Sequence, residues 1–404
     1  MKEFIRKLFP ESLIIALWHR SRAVLAAVWY GFPAKKLTVI AVAGTKGKTS
    51  TAYFISHILD YLGVKNALVS TAALKMAGEE KMNTVKMTTP PADFLQKFLR
   101  QAVSRGCTHV VLEVSSHALE QYRTWGIPFS VAVLTNLMPD HLEYHGTAEH
   151  YQHSHKKLIT PFLKKLILNG DDNNLSDFFN LPVAKSIFKQ SEEVAEKLRI
   201  SGVPMMSHFN ASNILAAYYA VSALGFSHEK IMSALKTLHG APGRLERIDE
   251  GQPFTVIVDY AHSVDSLTNF FEAIKPEVKG NIIVVYGACG DRDPSQRVKM
   301  GEVLDQCADS VVVTNDDPYS EDPEKISSQL KAGITSKKWN EYAWEILDRR
   351  GAIQKALSLA HEGDCVCILG KGAEQWQIFK DTKIPWDDRQ VVRELLKSRN
   401  SGSV

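Results

Sequence analysis

A chain of 404 residues with 45% hydrophobic and 23% charged side chains has the composition of a globular protein of roughly two to three domains. Its 48 Lys and Arg nearly match its 45 Asp and Glu, so the net charge of +3 argues against a general nucleic-acid surface and leaves any phosphate recognition to a local site. Five cysteines, Cys107, Cys289, Cys307, Cys365 and Cys367, show neither disulfide nor zinc spacing and read as reduced thiols of a cytoplasmic protein.

Residues 1–36 differ in character from the rest of the chain. Leu13–Leu17 and Ala23–Tyr30 are apolar, and Lys2, Arg6, Lys7, Arg20, Arg22, Lys35 and Lys36 face only Glu3 and Glu11. The pattern predicts a helix. His19-Arg20-Ser21-Arg22 interrupts the apolar run below the length that spans a bilayer, which leaves two readings: peripheral contact with a membrane surface, or docking on the protein's own core.

From Leu37 onward, apolar strand-like runs at 37–43, 108–114, 130–135 and 165–168 alternate with helical spacing, which predicts an α/β fold with a parallel sheet. The first run leads into Gly44-Thr45-Lys46-Gly47-Lys48-Thr49-Ser50, and Tyr53, Ile55, Ile58, Leu59 and Leu62 then keep a helical period. Such a loop aims backbone N–H groups at an anion, with Lys48 as point charge and Thr49 as a hydroxyl for Mg²⁺. The ligand it suits is a nucleoside triphosphate. Val42 stands where a strict P-loop has its first glycine. Ligands of parallel sheets bind at the carboxyl ends of strands, where the sequence places Glu113 followed by Ser115, Ser116 and His117, and then Asn136 before Asp140 and His141. Glu113, His141 and Thr49 together suit a Mg²⁺ site beside a triphosphate.

Residues 170–203 carry little signal, and His208–Asn213 then opens an Ala-rich helix on which Asn210 and Asn213 share a face suited to a nucleobase. Ala241-Pro242-Gly243-Arg244 reads as the domain boundary, giving a helical segment 1–36, a central ATP-binding domain 37–243 and a carboxy-terminal domain 244–404. Strand runs at 254–259, 281–286, 310–314 and 364–369 predict a Rossmann-like sheet in the last of these. No complete Gly-x-Gly-x-x-Gly supports a dinucleotide site.

These motifs together resemble the Mur ligases, and within them the MurE-type branch that adds the third amino acid of the peptidoglycan stem peptide. The resemblance is carried by Gly44–Thr49, Glu113–Leu119, Thr135–Leu137 with Asp140–Gly146, Phe209-Asn210 with Asn213, Pro242–Arg244, Asp259–His262, Gly290–Asp293, Glu321–Pro323, Gly370–Gly372 and Asp387–Arg389. It implies ATP-dependent activation of a carboxylate as an acyl phosphate and attack by an amine. It assigns Lys48 and Thr49 to the triphosphate and Mg²⁺, Glu113 and His141 to metal, and Asn136, Asn210, Asn213, Arg244, Asp259 and His262 to ATP. Thr88, Thr89, Ser115, Ser116 and His117 fall to a muramoyl-peptide-like acceptor, and Asp316, Asp317, Tyr319, Gly370 and Glu374 to the amino acid. Closure of one domain on the other is also implied.

Three features depart from the family pattern. Residues 1–36 are too short for a UDP-binding domain; the position of the family's carbamylated lysine falls on His155, with Lys156 next to it; and Tyr319 replaces the arginine of the motif that reads diaminopimelate. Without that guanidinium, and with Asp316, Asp317 and Glu374 in the pocket, the expected substrate is lysine, or a similar diamine acid, over diaminopimelate. Two competing readings are a folylpolyglutamate-synthase-like ligase and a non-catalytic ATP-binding partner subunit. Glu113–Leu119 and Asp259–His262 favour the muramoyl branch, and intact Lys48, Thr49, Glu113 and His141 favour catalysis.

Overall fold

Runs of β-branched and apolar residues become buried parallel strands in both halves of the chain. The computed structural model describes residues 11–400 apart from 84, 86, 192, 193, 195–197, 199–207 and 239, so Lys2, Glu3, Arg6 and Lys7 lie outside the described residues. Two units are distinguished, Met1–Leu238 and His239–Val404.

The first unit is built on an eight-stranded sheet in the order β4-β3-β2-β5-β1-β6-β7-β8. Its strands are β1 (Thr38–Ala43), β2 (Asn66–Val69), β3 (Ala73–Met76), β4 (Glu79–Met82), β5 (His109–Glu113), β6 (Phe129–Leu134), β7 (Lys165–Asn169) and β8 (Lys185–Phe188). β1 lies centrally, parallel to β5 and β6, and the register pairs Val42 with Glu113 and Ala43 with Leu134. That register brings the glycine loop, Glu113 and Thr135 to one end of the sheet. The helices that matter for the site are α1 (Glu11–Trp29), α2 (Lys48–Tyr61), α3 (Ala92–Ser104), α4 (Ser116–Glu120), α5 (Ala148–His155) and α6 (His208–Ser222). α6 packs along α2, and α1 packs on α3. α1 therefore docks on the protein's own body, through Ala23 and Ala26 against Ala92.

The four strands expected in this unit all form. The antiparallel additions β3 and β4 carry no such sequence signal, because β4 reads Glu79-Glu80-Lys81-Met82, an exposed edge held by its backbone ladder and by contacts of Glu79 with Arg105 and Glu80 with Tyr53.

The second unit holds a six-stranded sheet in the order β13-β12-β11-β14-β10-β9. Its strands are β9 (Glu246–Arg247), β10 (Thr255–Asp259), β11 (Ile282–Tyr286), β12 (Ser310–Val313), β13 (Ala343–Glu345) and β14 (Cys365–Leu369), and the hairpin β15 (Trp376–Phe379) and β16 (Thr382–Pro385) comes after them. Only β9 runs antiparallel in the six-stranded sheet. Val256, Val258, Ile283, Val285 and Ile368 pack against Ile353 and Leu357 of α7 (Arg349–Leu359) and Val392 of α8 (Asp388–Asn400). Cys365 and Cys367 are fully buried in β14, as their alternation in an apolar run suggests.

A buried ion pair ties this core to its strand ends. Arg349 donates through Nε and Nη2 to the two carboxylate oxygens of Asp388 at 2.7 and 2.6 Å, with both side chains fully buried. Its remaining donors reach the carbonyls of Asn315 and Leu369, and the Trp386 indole N–H donates to the same carboxylate. Burial and this carboxylate act in opposite directions on Arg349, and the carboxylate wins, holding it charged. Removing one partner strands a charge in the core, so Asp388→Ala is expected to cost about 3–5 kcal/mol in denaturant unfolding, and an R349M/D388L double variant less than either single change.

Candidate active site

Gly44 to Lys48 form the turn between β1 and α2, and two of its glycines are sterically required. Gly44 has φ +130°, and a Cβ there would lie 2.3 Å from Thr135 Oγ1; at Gly47, with φ +81°, it would lie 2.2 Å from Asn213 Oδ1. The loop is clamped from the end of β6. Thr45 N donates to Asn136 O and Lys46 N to Asn136 Oδ1, both at 2.8 Å, while Asn136 Nδ2 and Thr135 Oγ1 donate to Lys46 O at 3.0 and 2.6 Å. Thr45 Oγ1 donates to Met138 O and accepts from the buried Tyr151 hydroxyl, whose pKa burial pushes up to about 12. Lys48 Nζ donates to the Gly44 and Thr45 carbonyls at 2.8 Å each, curled over the loop it closes. Ser50 lies in the first turn of α2.

Glu113 joins this loop to a second one. Its carboxylate is buried, and Oε1 accepts from Thr49 Oγ1 and Thr71 Oγ1 at 3.0 Å each while Oε2 accepts from Thr71 N at 2.6 Å. Thr71 Oγ1 also lies 3.0 Å from Thr88 Oγ1. Thr89 Oγ1 donates to Glu113 O and accepts from Ser115 N, and Ser115 caps α4. Thr88, Thr89 and Ser115 therefore gather around Glu113 and Thr71. Ser116 Oγ bonds His145 Nε2 at 2.9 Å, and the His117 ring lies 4.8 Å from His141 and 4.2 Å from Tyr144. His141 adopts φ +53° at the start of the one-turn helix Leu142–His145 and lies 3.7 Å from Asp140 Oδ2. The Thr49 hydroxyl and Glu113 carboxylate are hard oxygen donors side by side, which fits Mg²⁺. His141 belongs to the neighbouring ring cluster.

His155 and Lys156 point in opposite senses. Lys156 pairs with Asp177 at 2.9 Å at the surface, so it does not turn inward to take its neighbour's place. His155 is fully buried at the end of α5, and its Nδ1 lies 3.0 Å from the Tyr151 carbonyl, which makes Nδ1 the N–H donor and Nε2 an acceptor. Nε2 has no hydrogen-bond partner among the described residues. Burial, with the charges of Lys48 and His145 behind it, lowers the His155 pKa to about 4. Asn213 is held between Gly47 and Thr51, and Asn210 lies one turn earlier on α6, half-buried.

In the second unit the Arg244 guanidinium stacks 4.6 Å from the Tyr260 ring. Asp259 accepts from Leu245 N and Ala261 N, and burial raises its pKa against the pull of Arg244. His262 Nδ1 donates to Tyr260 O, and burial lowers its pKa. The acidic amino-acid candidates gather around one lysine. Lys371 Nζ, fully buried, donates to Asp316 Oδ1, Asp317 Oδ1 and Glu374 Oε2 at 3.1, 2.9 and 3.2 Å. Gly370, with φ +106°, sits where a Cβ would come within 2.6 Å of Asp316 Oδ2. Tyr319 has φ +50°, and its N–H donates to Ile378 O. Lys371 already stands among these three carboxylates, so they are not three free anions, while Asp316 Oδ2 has no hydrogen-bond partner among the described residues. Thr71, Tyr151 and Lys371 are the residues that sequence reasoning missed. Only Lys371, a lysine between two glycines after an apolar strand with three acids to match, left a readable signal.

A glycine loop between a central parallel strand and a helix, faced by a carboxylate from the adjacent strand, defines a P-loop type of nucleotide site. Residues 42–201 match the Mur ligase middle domain, and residues 243–372 match the domain described as Mur ligase, glutamate ligase domain. The chain is 40% identical, over 96% of its length and 83% of the relative's, to UDP-N-acetylmuramoyl-L-alanyl-D-glutamate--2,6-diaminopimelate ligase of Thermosynechococcus vestitus. It is 39% identical, over 94% and 83%, to the protein of the same name from Geobacillus kaustophilus. A solved ligase of that name superposes with TM-score 0.64 at 31% identity, covering 90% of this chain and 79% of that one. Folylpolyglutamate synthase of Mycobacterium tuberculosis superposes with TM-score 0.67 at 18% identity, covering 87% and 92%, a likeness of fold. The chain belongs to the Mur ligase family.

The buried histidine gives a test with a definite sign. A folded-state pKa near 4 against an unfolded value of about 6.5 means that the unfolded chain binds the extra proton first. The stability due to neutral His155 is complete above pH 6.5 and is lost as pH falls toward 4, by up to ~3 kcal/mol. In urea unfolding across this window, the wild type is expected to fall more steeply than His155→Gln; parallel curves would contradict the assignment.

Proposed function

We propose that the protein is an ATP-dependent ligase that joins an amino acid to the carboxylate of a muramoyl-peptide-like acceptor, through an acyl phosphate, in the cytoplasm. The observation that carries the reading is the shared carboxylate of Glu113, which receives the hydroxyl of Thr49 from the phosphate loop and both donors of Thr71 from the loop that meets Thr88. One buried group thus sets the distance between the nucleotide candidates and the acceptor candidates. Chemistry that moves a phosphoryl group to a carboxylate depends on such positioning and on charge neutralisation.

In this reading the Gly44–Lys48 loop and the start of α2 bind the triphosphate, and Lys48 exchanges its two carbonyl contacts for phosphoryl oxygens. Thr49 and Glu113 would hold Mg²⁺, which supplies neutralisation of phosphoryl charge when bound. Thr135, Asn136 and Asn213 keep the loop rigid. Thr88, Thr89 and Ser115 line the acceptor side. In the second unit, Asp259 orients the turn at Leu245 beside Arg244, and Lys371 fixes Asp316, Asp317 and Glu374 as one rigid acidic platform for the amine substrate. The relatives are named for 2,6-diaminopimelate, and the class proposed here is a 2,6-diamino acid.

Phosphate release is expected only when acceptor and amino acid are both present with Mg·ATP. Lys48→Ala is expected to lower that rate about 100-fold or more while leaving the fold intact. Phosphate release that ignores the acceptor, or a folded Lys48→Ala protein with the wild-type rate, would overturn the reading.

A further inference from the structure

Helix α1 is built the wrong way round for a helix that ends at its own protein. The face it packs inward is small: Ala23 and Ala27 are fully buried and Ala26 nearly so, against Ala92 with Tyr122 and Trp125 alongside. Its outward face is large. Leu17, Trp18, Leu25, Val28 and Trp29 are 53%, 67%, 69%, 59% and 84% exposed. At helical spacing these five fall on one side, opposite the alanines, whereas a helix of a soluble body normally turns its bulky side chains to the core. They are five of the twelve exposed large hydrophobic side chains among the described residues, so they form a patch and not a scatter.

Charge indicates what covers the patch. Arg20 and Arg22 flank it on either side, Arg22 paired with Asp93 at 2.8 Å, and exposed Lys35 and Lys36 come just beyond it in the short helix Pro33–Lys36. Residues 1–36 carry seven Lys and Arg against two acidic residues, which leaves 41 basic and 43 acidic residues in the rest of the chain. The positive charge of the whole protein thus lies in the segment that presents the apolar face. A second copy would bring like charge against like, whereas an anionic bilayer attracts this rim and accepts indole rings at its headgroup level. α1 has 19 residues, and no described helix is long and apolar enough to cross a membrane, so such a helix lies in the interface.

We propose that α1 is a surface anchor, its Leu17–Trp29 face seated in the interface of an anionic lipid bilayer with Arg20, Lys35 and Lys36 among the headgroups. This goes beyond ligase chemistry and does not depend on it.

The test is flotation of the full chain with vesicles containing phosphatidylglycerol and with vesicles of phosphatidylcholine alone, at low and high salt. Expected is flotation with the anionic vesicles, weaker at high salt, weak with phosphatidylcholine, and reduced about tenfold in an L25E/W29E variant. Both substituted side chains point to solvent, so the variant's unfolding midpoint should match the wild type. A chain lacking residues 1–10 should still float with the anionic vesicles, more weakly because Lys2, Arg6 and Lys7 are gone. No flotation of the wild type at low salt, equal flotation of L25E/W29E, or loss of flotation on removing residues 1–10 alone would each overturn the proposal. So would a dimer by light scattering that the double variant dissolves, since the face would then belong to a second copy.

Discussion

A carboxylate taken out of water must be given donors, and the way Glu113 receives them fixes the geometry of the first unit. Three hydrogen bonds reach it, from the Thr49 hydroxyl and from the hydroxyl and N–H of Thr71. Leaving any of these donors unmade would cost on the order of 1–3 kcal/mol, more for a charged group, so the loops that supply them are held where the carboxylate is. Thr71 comes just after β2, Thr49 opens α2, and Glu113 ends β5. The parallel register places all three at one end of the sheet, and the clamp of Thr135 and Asn136 on the glycine loop completes the arrangement.

The second unit solves the converse problem. There two buried cations meet buried carboxylates that would be as costly to bury alone, Lys371 with Asp316, Asp317 and the partly buried Glu374, and Arg349 with Asp388. Lys371 binds together the turn after β12 and the turn after β14, and Gly370 leaves room for the Asp316 carboxylate beside the backbone. The acidic platform is therefore preassembled, and with one ammonium among three carboxylates it keeps an excess of negative charge. A substrate reaching it would meet oriented oxygens that Lys371 holds in place and only partly neutralises, so geometry and charge both contribute to recognition.

What the sequence makes legible depends on range. The central strands are readable because burial on both faces demands continuous apolar runs such as Val110–Leu112 and Val366–Leu369. The glycine loop is readable because only glycine fits at positions 44 and 47, where a Cβ would strike Thr135 and Asn213. Contacts across the fold are not. Thr71 has no local signal, since a threonine after a short strand becomes a ligand of Glu113 only through the register of β2 with β5. Lys371 stands in a recognisable motif, but its partners Asp316 and Asp317 are more than fifty residues away in the chain, so the sequence shows three acids without the lysine that holds them. Docking and membrane contact are not exclusive for α1 either: the alanine face docks, and the opposite face remains apolar and exposed.

Phosphoryl transfer to a carboxylate is the central step, and the fate of oxygen tests it directly. An acceptor labelled with ¹⁸O in its free carboxylate is incubated with enzyme, Mg·ATP and a 2,6-diamino acid, and the released phosphate is weighed by mass spectrometry. Transfer through an acyl phosphate predicts one carboxylate ¹⁸O in each inorganic phosphate formed from a doubly labelled carboxylate, with the other retained in the new amide. Unlabelled phosphate alongside amide product, or label appearing in AMP, would contradict it.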